Sequence, residues 1–104
     1  MYRGTTPTYT FTLPDTVDLT EATNIYVSFA KFNGEEIYRK TGSDLVVSEH
    51  SVDLYMTQAE TLALPDEVKI QLNWTYQEGT RAKRACSEIF LITTKKNLIN
   101  EEIQ

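Results

Sequence analysis

The chain has 104 residues, 40% of them hydrophobic and 11% aromatic, a composition that fits one folded domain and excludes an intrinsically disordered chain. The net charge of −5 argues against nucleic acid as a partner, because phosphate binding needs a basic surface. The single cysteine, Cys86, excludes an intrachain disulfide and a thiolate metal cluster.

No segment predicts a signal peptide or a membrane helix. Met1 to Leu13 lacks an apolar run of the signal type, and no stretch approaches the roughly 20 apolar residues that cross a bilayer. We therefore expect synthesis in the cytosol, a protein that remains soluble, and no membrane partner.

The amino-terminal third predicts an arm, two strands and a hairpin. Met1 to Pro7 is polar, and we expect a flexible arm. Alternation of apolar and polar residues predicts strands over Thr8 to Leu13 and Asn24 to Phe32. Asn33-Gly34 is a strong hairpin signal and leads into Glu35 to Lys40, whose charges indicate a protected edge strand.

The middle of the chain predicts two short strands, a helix and the central strand. The strands cover Leu45 to Val47 and Ser51 to Met56. Thr57 to Glu60 fits a capping box, which predicts a helix of one or two turns ending before Pro65. Glu67 to Tyr76 alternates strictly and carries the only tryptophan, so we expect the other strands to pair around it.

The carboxy-terminal part predicts one long strand and a tail. Arg81 to Thr94 should return as the hairpin partner of the central strand, and its apolar second half suggests burial on both faces or contact with another chain. Lys95 to Gln104 is weakly helical in pattern. The spacing of the turns predicts a single all-β domain over residues 1–104, an antiparallel sandwich of about seven strands with one short helix.

The residues that carry chemistry are scattered. His50, the only histidine, lies in a predicted turn without partners for catalysis or metal binding. Carboxylate pairs such as Asp66-Glu67 point to opposite faces of a strand. Cys86 follows a short basic cluster, which is more typical of an exposed hairpin end than of an anion site. We expect no catalytic residue, no metal, no cofactor and no enzyme. The basic cluster consists of Arg81, Lys83 and Arg84.

Two segments together resemble small proteins of prophage structural gene clusters, and more distantly the N-terminal domain of upper baseplate proteins of tailed phages. The first is MYRGTTPTYTFTL, which continues into VDLTEAT and the following strand. The second is LYMTQAETL, which leads to VKIQL and Gly79. The order of elements carries the resemblance, and it does not extend to a stalk or to receptor-facing parts.

The resemblance implies an immunoglobulin-like β-sandwich that acts as an attachment module in a phage particle, in the tail, baseplate or head–tail region. The expected partners are other phage structural proteins or further copies of the chain, and the expected location is the virion or otherwise the bacterial cytoplasm. The expected contact residues lie in the arm, the last strand and the tail, and they are Tyr2, Arg3, Phe90, Ile92, Leu98 and Ile99.

A second hypothesis is a module that binds carbohydrate or another ligand. Sugars stack on exposed aromatic rings, and Tyr26, Tyr38 and Tyr55 are the candidate platforms. Trp74 alternates with apolar residues, which favours a place in the core over a place in such a platform.

Overall fold

Two antiparallel sheets with eight strands and one α-helix make up the protein, in a computed structural model that describes all of residues 1–104. In chain order the elements are β1 (Thr8–Thr12), β2 (Ala22–Lys31), β3 (Glu36–Thr41), β4 (Leu45–Val47), β5 (Ser51–Tyr55), α1 (Gln58–Leu62), β6 (Glu67–Glu78), β7 (Arg81–Cys86) and β8 (Phe90–Thr93). Single 3₁₀ turns cover Leu19–Glu21 and Gly42–Asp44. The predicted all-β sandwich with one short helix is confirmed.

The strand order is that of an immunoglobulin-like sandwich. The smaller sheet has the order β1-β5-β4, which matches strands B, E and D, and β3-β2-β6 of the larger sheet match C′, C and F. Both β7 and β8 pair with β6, so together they take the place of strand G. The long strand β6 is central, as its alternating sequence predicts, because β2 covers one edge and β7 and β8 cover the other.

One apolar core of 14 buried residues lies between the sheets. The inward side chains of β6 supply its middle: Val68, Ile70 and Leu72 are fully buried, and Trp74 is 6% exposed. Phe29 of β2 lies opposite Ile70 in the same layer. Burial of one face of β6 follows directly from the period of two in its sequence.

The turn and cap signals form as predicted, with small shifts in their bounds. Gly34 has φ +91° between β2 and β3, a conformation that glycine adopts without steric cost. Thr57 and Glu60 form the predicted capping box at the start of α1, which ends at Leu62. The segment predicted to be an edge strand forms β3, and β3 lies at the edge of the larger sheet.

Three predictions of local structure are wrong. The strand expected over 81–94 is interrupted at residues 87–89, where Ser87 exchanges hydrogen bonds with the backbone of Leu72 instead of continuing the ladder. The tail expected to be weakly helical contains no helix. Lys40 is expected among the exposed charges of β3 but is only 4% exposed. Its ammonium group donates to the carbonyl oxygen of Tyr55 and to the carboxylate of Glu60 inside the protein.

Candidate interaction surfaces

A groove of about 550 Å³ crosses the outer face of the larger sheet. Outward side chains of β2 and β6 form its floor, because residues of a strand alternate between the two faces. Tyr26 lies beside Asn73 there, and Ser28 lies beside Gln71. All four are half-buried, so the floor is polar and recessed rather than flat.

Three cations and one carboxylate line this groove. Arg39 pairs with Glu36 at 2.8 Å, and the hydrogen bonds from Arg39 hold the pKa of Glu36 below its ordinary value. Lys69 makes no ion pair, and Arg84 donates two hydrogen bonds to Oδ1 of Asn73 without meeting a carboxylate. The groove is therefore a cationic region on a chain with a net charge of −5.

Apolar side chains border the groove at its Lys69 end. The ammonium group of Lys69 lies 4.8 Å from the centre of the Phe32 ring, a cation–π contact. Leu91 lies opposite Lys69 in the register of β6 and β8, and Ile89 lines the groove itself. Phe32, Ile89 and Leu91 are each more than half exposed, so this end joins a cation to an apolar surface.

The predicted arm is tied to the body of the protein. Tyr2 forms a parallel bridge with Lys95, just after β8. Arg3 donates from Nε to the carbonyl oxygen of Leu64 at 2.7 Å and forms an ion pair with Asp66. The polar sequence predicts a flexible arm, but these contacts hold its backbone beside the end of β8.

Two further hydrogen bonds fix the arm to α1. The amide of Gly4 donates to Oγ1 of Thr61 at 2.9 Å, and the same hydroxyl donates to the carbonyl oxygen of Thr5 at 2.8 Å. Thr61 is fully buried by this arrangement. The arm thus covers one side of α1.

The tail returns to the same region. Asn97 donates from Nδ2 to the carbonyl oxygen of Arg3 at 3.1 Å. The backbone of Ile103 exchanges two hydrogen bonds with the side chain of Gln58, the first residue of α1. Arm, tail and α1 therefore meet, which the order of residues along the chain does not reveal.

Four large side chains remain exposed where these segments meet, and we call them the terminal patch: Tyr2, Leu98, Ile99 and Ile103. Tyr2, Ile99 and Ile103 are each at least half exposed, and the Leu98 side chain has no cover at all. Three of the residues predicted to make contacts, Tyr2, Leu98 and Ile99, lie in this patch.

The other three predicted contact residues lie outside the patch, and Arg3 is bound to Leu64 and Asp66. Phe90 and Ile92 are half-buried and pack against the core, and the Phe90 ring lies 5.4 Å from that of Phe11. The exposed apolar side chains of this segment are instead Ile89 and Leu91, one position away. A one-residue shift in register exchanges the two faces of a strand, and the nearly continuous apolar sequence left that register open.

The single histidine and cysteine do not join a catalytic group. Nδ1 of His50 lies within hydrogen-bonding distance of the carbonyl oxygen of Val17, and Nε2 lies 3.5 Å from Glu49. Cys86 is exposed on the outer face of the larger sheet, opposite Asn73. No group of three or more histidine, cysteine, aspartate or glutamate side chains is placed to hold a metal ion.

The basic cluster and the candidate aromatic platforms are divided by the fold. Arg84 reaches the groove, whereas Lys83 lies opposite Tyr76 on the other face of β6 and β7. Tyr38 donates its hydroxyl to the carbonyl oxygen of Glu60, and burial raises its pKa. Only Tyr26 of the three predicted tyrosines lines the groove. Strand pairing alone brings distant Arg39 and Lys69 to the same place as Arg84.

Comparisons with models of protein families, with curated proteins and with solved structures find no match to this chain. None of its helices is long and apolar enough to span a membrane.

Proposed function

We propose that the chain is a non-catalytic structural or assembly protein of a phage particle, acting through contacts with other proteins. The observation that carries this proposal is the terminal patch, where large apolar side chains stay exposed although arm and tail are hydrogen-bonded around them. Exposed apolar patches are typical of protein contact sites. The immunoglobulin-like sandwich agrees with the attachment module that the sequence resemblance implies.

The tail makes this patch suitable for docking a partner. Leu98 contributes a fully exposed side chain, and the side chain of neighbouring Asn97 binds the carbonyl oxygen of Arg3 and the amide of Ile99. A contact residue on an ordered backbone loses little conformational freedom on binding. A tyrosine such as Tyr2 at the centre of a contact is a frequent source of binding energy.

The first test is mass spectrometry of purified particles from an induced lysogen that carries the gene. A structural role predicts the chain in particles at a fixed ratio to the capsid or tail proteins. Recovery from the lysate alone would contradict the structural role and would turn attention to an assembly factor that leaves the particle.

Variants of the patch test the contact itself. Leu98→Lys with Ile99→Lys should lower incorporation into particles about tenfold, because buried lysines replace the apolar contact. Phe32→Lys is the matched control, since it changes an exposed aromatic residue far along the sequence from both termini. Equal incorporation of both variants would overturn the role of the terminal patch.

The cationic groove supports a second function, the binding of an acidic carbohydrate. Lys69 and Arg84 have no carboxylate partner, and Tyr26 offers an aromatic ring beside the polar amides of the floor. Titration calorimetry with polygalacturonate should show saturable binding, whereas neutral dextran should show none. Lys69→Ala with Arg84→Ala should abolish this binding, whereas Lys96→Ala should retain it.

A further inference from the structure

Strand β1 has a neighbour on one side only. It pairs with β5, and no strand of the chain occupies its other edge. An immunoglobulin sandwich places strand A at this position, next to strand B. Here the residues before β1 run to the other sheet, where Tyr2 bridges Lys95 in parallel. The chain therefore leaves the place of strand A vacant.

The free edge presents the backbone groups of three threonines. The carbonyl oxygen of Pro7 accepts from Met56, and the amide of Leu13 donates to His50, so these two residues face β5. Backbone groups in an antiparallel pair alternate in direction along the strand. Those of Thr8, Thr10 and Thr12 consequently point away from β5. No hydrogen bond outside the ladder reaches their amides or carbonyl oxygens.

Nothing in β1 discourages pairing with another strand. Proteins prevent free edge strands from pairing with other chains by placing charges, proline or bulges on them. The edge strand β3 follows that practice with Glu36 and Arg39. In contrast, β1 reads Thr-Tyr-Thr-Phe-Thr, with no charge and no proline, and its register with β5 is regular. The threonine side chains on its outer face are exposed.

The sequence of β1 is complementary to itself. Reading from either end gives threonine and an aromatic residue in alternation, with Thr10 at the centre. We propose that β1 pairs antiparallel with β1 of a second copy about a two-fold axis at Thr10. Thr8 then lies opposite Thr12 of the second copy, and Tyr9 lies opposite its Phe11. The two three-stranded sheets become one six-stranded sheet, and the unpaired backbone groups of both edges are satisfied.

A second copy fits this edge better than an unrelated strand because of that symmetry. No like charges meet, and threonine pairs with threonine on the exposed face. The nearest carboxylate, Asp53, already accepts a hydrogen bond from the Thr10 side chain at 2.7 Å. A five-residue strand buries less than a stable dimer interface, so the contact is weak alone and gains strength where copies are concentrated. It uses none of the side chains of the terminal patch, so its failure would leave the proposed structural role standing.

Disulfide trapping tests both the contact and its register, in a Cys86→Ser background that removes the native thiol. The pairing places the Cα atoms of the two Thr10 residues about 5.5 Å apart, within the reach of a disulfide. Thr10→Cys should therefore give a covalent dimer under mild oxidation. The two Thr12 residues would lie about 14 Å apart, so Thr12→Cys alone should stay monomeric.

The trapping experiment has a positive control for register and clear contrary outcomes. A mixture of Thr8→Cys and Thr12→Cys chains should form the mixed dimer, because these positions face one another. Equal trapping of Thr10→Cys and Thr12→Cys would mean random collision, and no trapping would mean that the edge accepts another partner or none. Either result overturns the proposed pairing.

Sedimentation at millimolar concentration tests the pairing without a covalent bond. Thr10→Lys should lower the dimer fraction about tenfold, because two ammonium groups meet at the axis. Thr41→Lys, an exposed threonine on the edge strand β3, should leave it unchanged. Unfolding followed by Trp74 fluorescence confirms that both variants fold. A monomeric wild-type chain, or equal effects of the two variants, would overturn the proposal.

Discussion

Lys40 and Glu60 join the edge strand β3 to the helix α1 through a buried ion pair. Nζ of Lys40 lies 2.6 Å from Oε1 of Glu60 and 2.6 Å from the carbonyl oxygen of Tyr55. The same carboxylate oxygen accepts the amide of Thr57 as part of the capping box. One carboxylate thus closes the helix start and neutralises an ammonium group that is 4% exposed.

Glu60→Gln removes that negative charge and keeps the shape of the side chain. Lys40 would remain buried without its counter-ion, and breaking a buried pair in this way costs about 3 kcal/mol. We expect a loss of this size in the free energy of unfolding, measured by urea with Trp74 fluorescence at neutral pH. Glu36→Gln, which breaks the exposed pair with Arg39, should cost less than about 1 kcal/mol. Similar losses in both variants would contradict this account.

The Glu60 carboxylate also makes stability depend on pH. Burial raises its pKa, but hydrogen bonds from Lys40 and Thr57 outweigh burial and hold the pKa below the ordinary 4.5. Below about pH 4.5 the unfolded chain binds the proton first, so this contribution is complete above that pH and is lost as the pH falls through the folded-state pKa. The difference in unfolding free energy between wild type and Glu60→Gln should therefore shrink on acidification. A constant difference from neutral to acidic pH would contradict it.

At the scale of elements, the interruption between β7 and β8 depends on one hydroxyl. Ser87 donates its amide to the carbonyl oxygen of Leu72 at 2.9 Å, and its Oγ accepts the Leu72 amide at 3.0 Å. The side chain of Gln71 adds a hydrogen bond to the Ser87 carbonyl oxygen at 2.9 Å. Ser87 thereby supplies hydrogen-bond partners to the backbone of Leu72 in β6, at the point where β7 has ended.

Ser87→Ala should destabilise the protein by about 1–3 kcal/mol, because the buried amide of Leu72 would lose its partner. Urea unfolding measures the loss. Ser48→Ala is the control, since Ser48 is exposed and its side chain makes no hydrogen bond, and it should change stability by less than about 0.5 kcal/mol. An equal, small effect of both substitutions would show that water replaces the hydroxyl without cost.

The elements that sequence predicts well are those governed by local pattern. The alternation around Leu72 and the turn at Gly34 each depend on neighbouring residues, and both form as predicted. The burial of Lys40 leaves no local signal because its partner Glu60 lies twenty residues away. The interruption at Ser87 leaves none either, because a hydroxyl that replaces a ladder partner does not change the periodicity of the sequence.

At the scale of the whole molecule, the candidate surfaces are products of topology rather than of motifs. The groove forms where three strands bring Arg39, Lys69 and Arg84 together, and no segment of the sequence holds all three. The terminal patch combines Tyr2 with Leu98, residues from opposite ends of the chain. The sequence indicates individual members of each surface, but their assembly depends on strand pairing and on contacts between the chain ends.

The arm offers a test at this scale. Its amide at Arg3 donates to the Lys95 carbonyl oxygen at 2.9 Å, so we expect slow hydrogen exchange at Arg3, with protection well above that of exposed Thr6. Thr61→Val should remove this protection in part, because Thr61 binds both Gly4 and Thr5. Exchange at the rate of an unstructured peptide in the wild-type chain would instead support a flexible arm.

Met1 lies beside the end of the last strand, β8. The amino group of Met1 donates to the carbonyl oxygen of Thr93 at 3.1 Å, and the amide of Lys95 donates to that of Met1 at 2.7 Å. Because these two points of the chain are close together, such a domain can be inserted into another polypeptide without forcing its insertion site apart. It can also be circularly permuted, with new ends opened at the exposed glycine turns around Gly34 or Gly79.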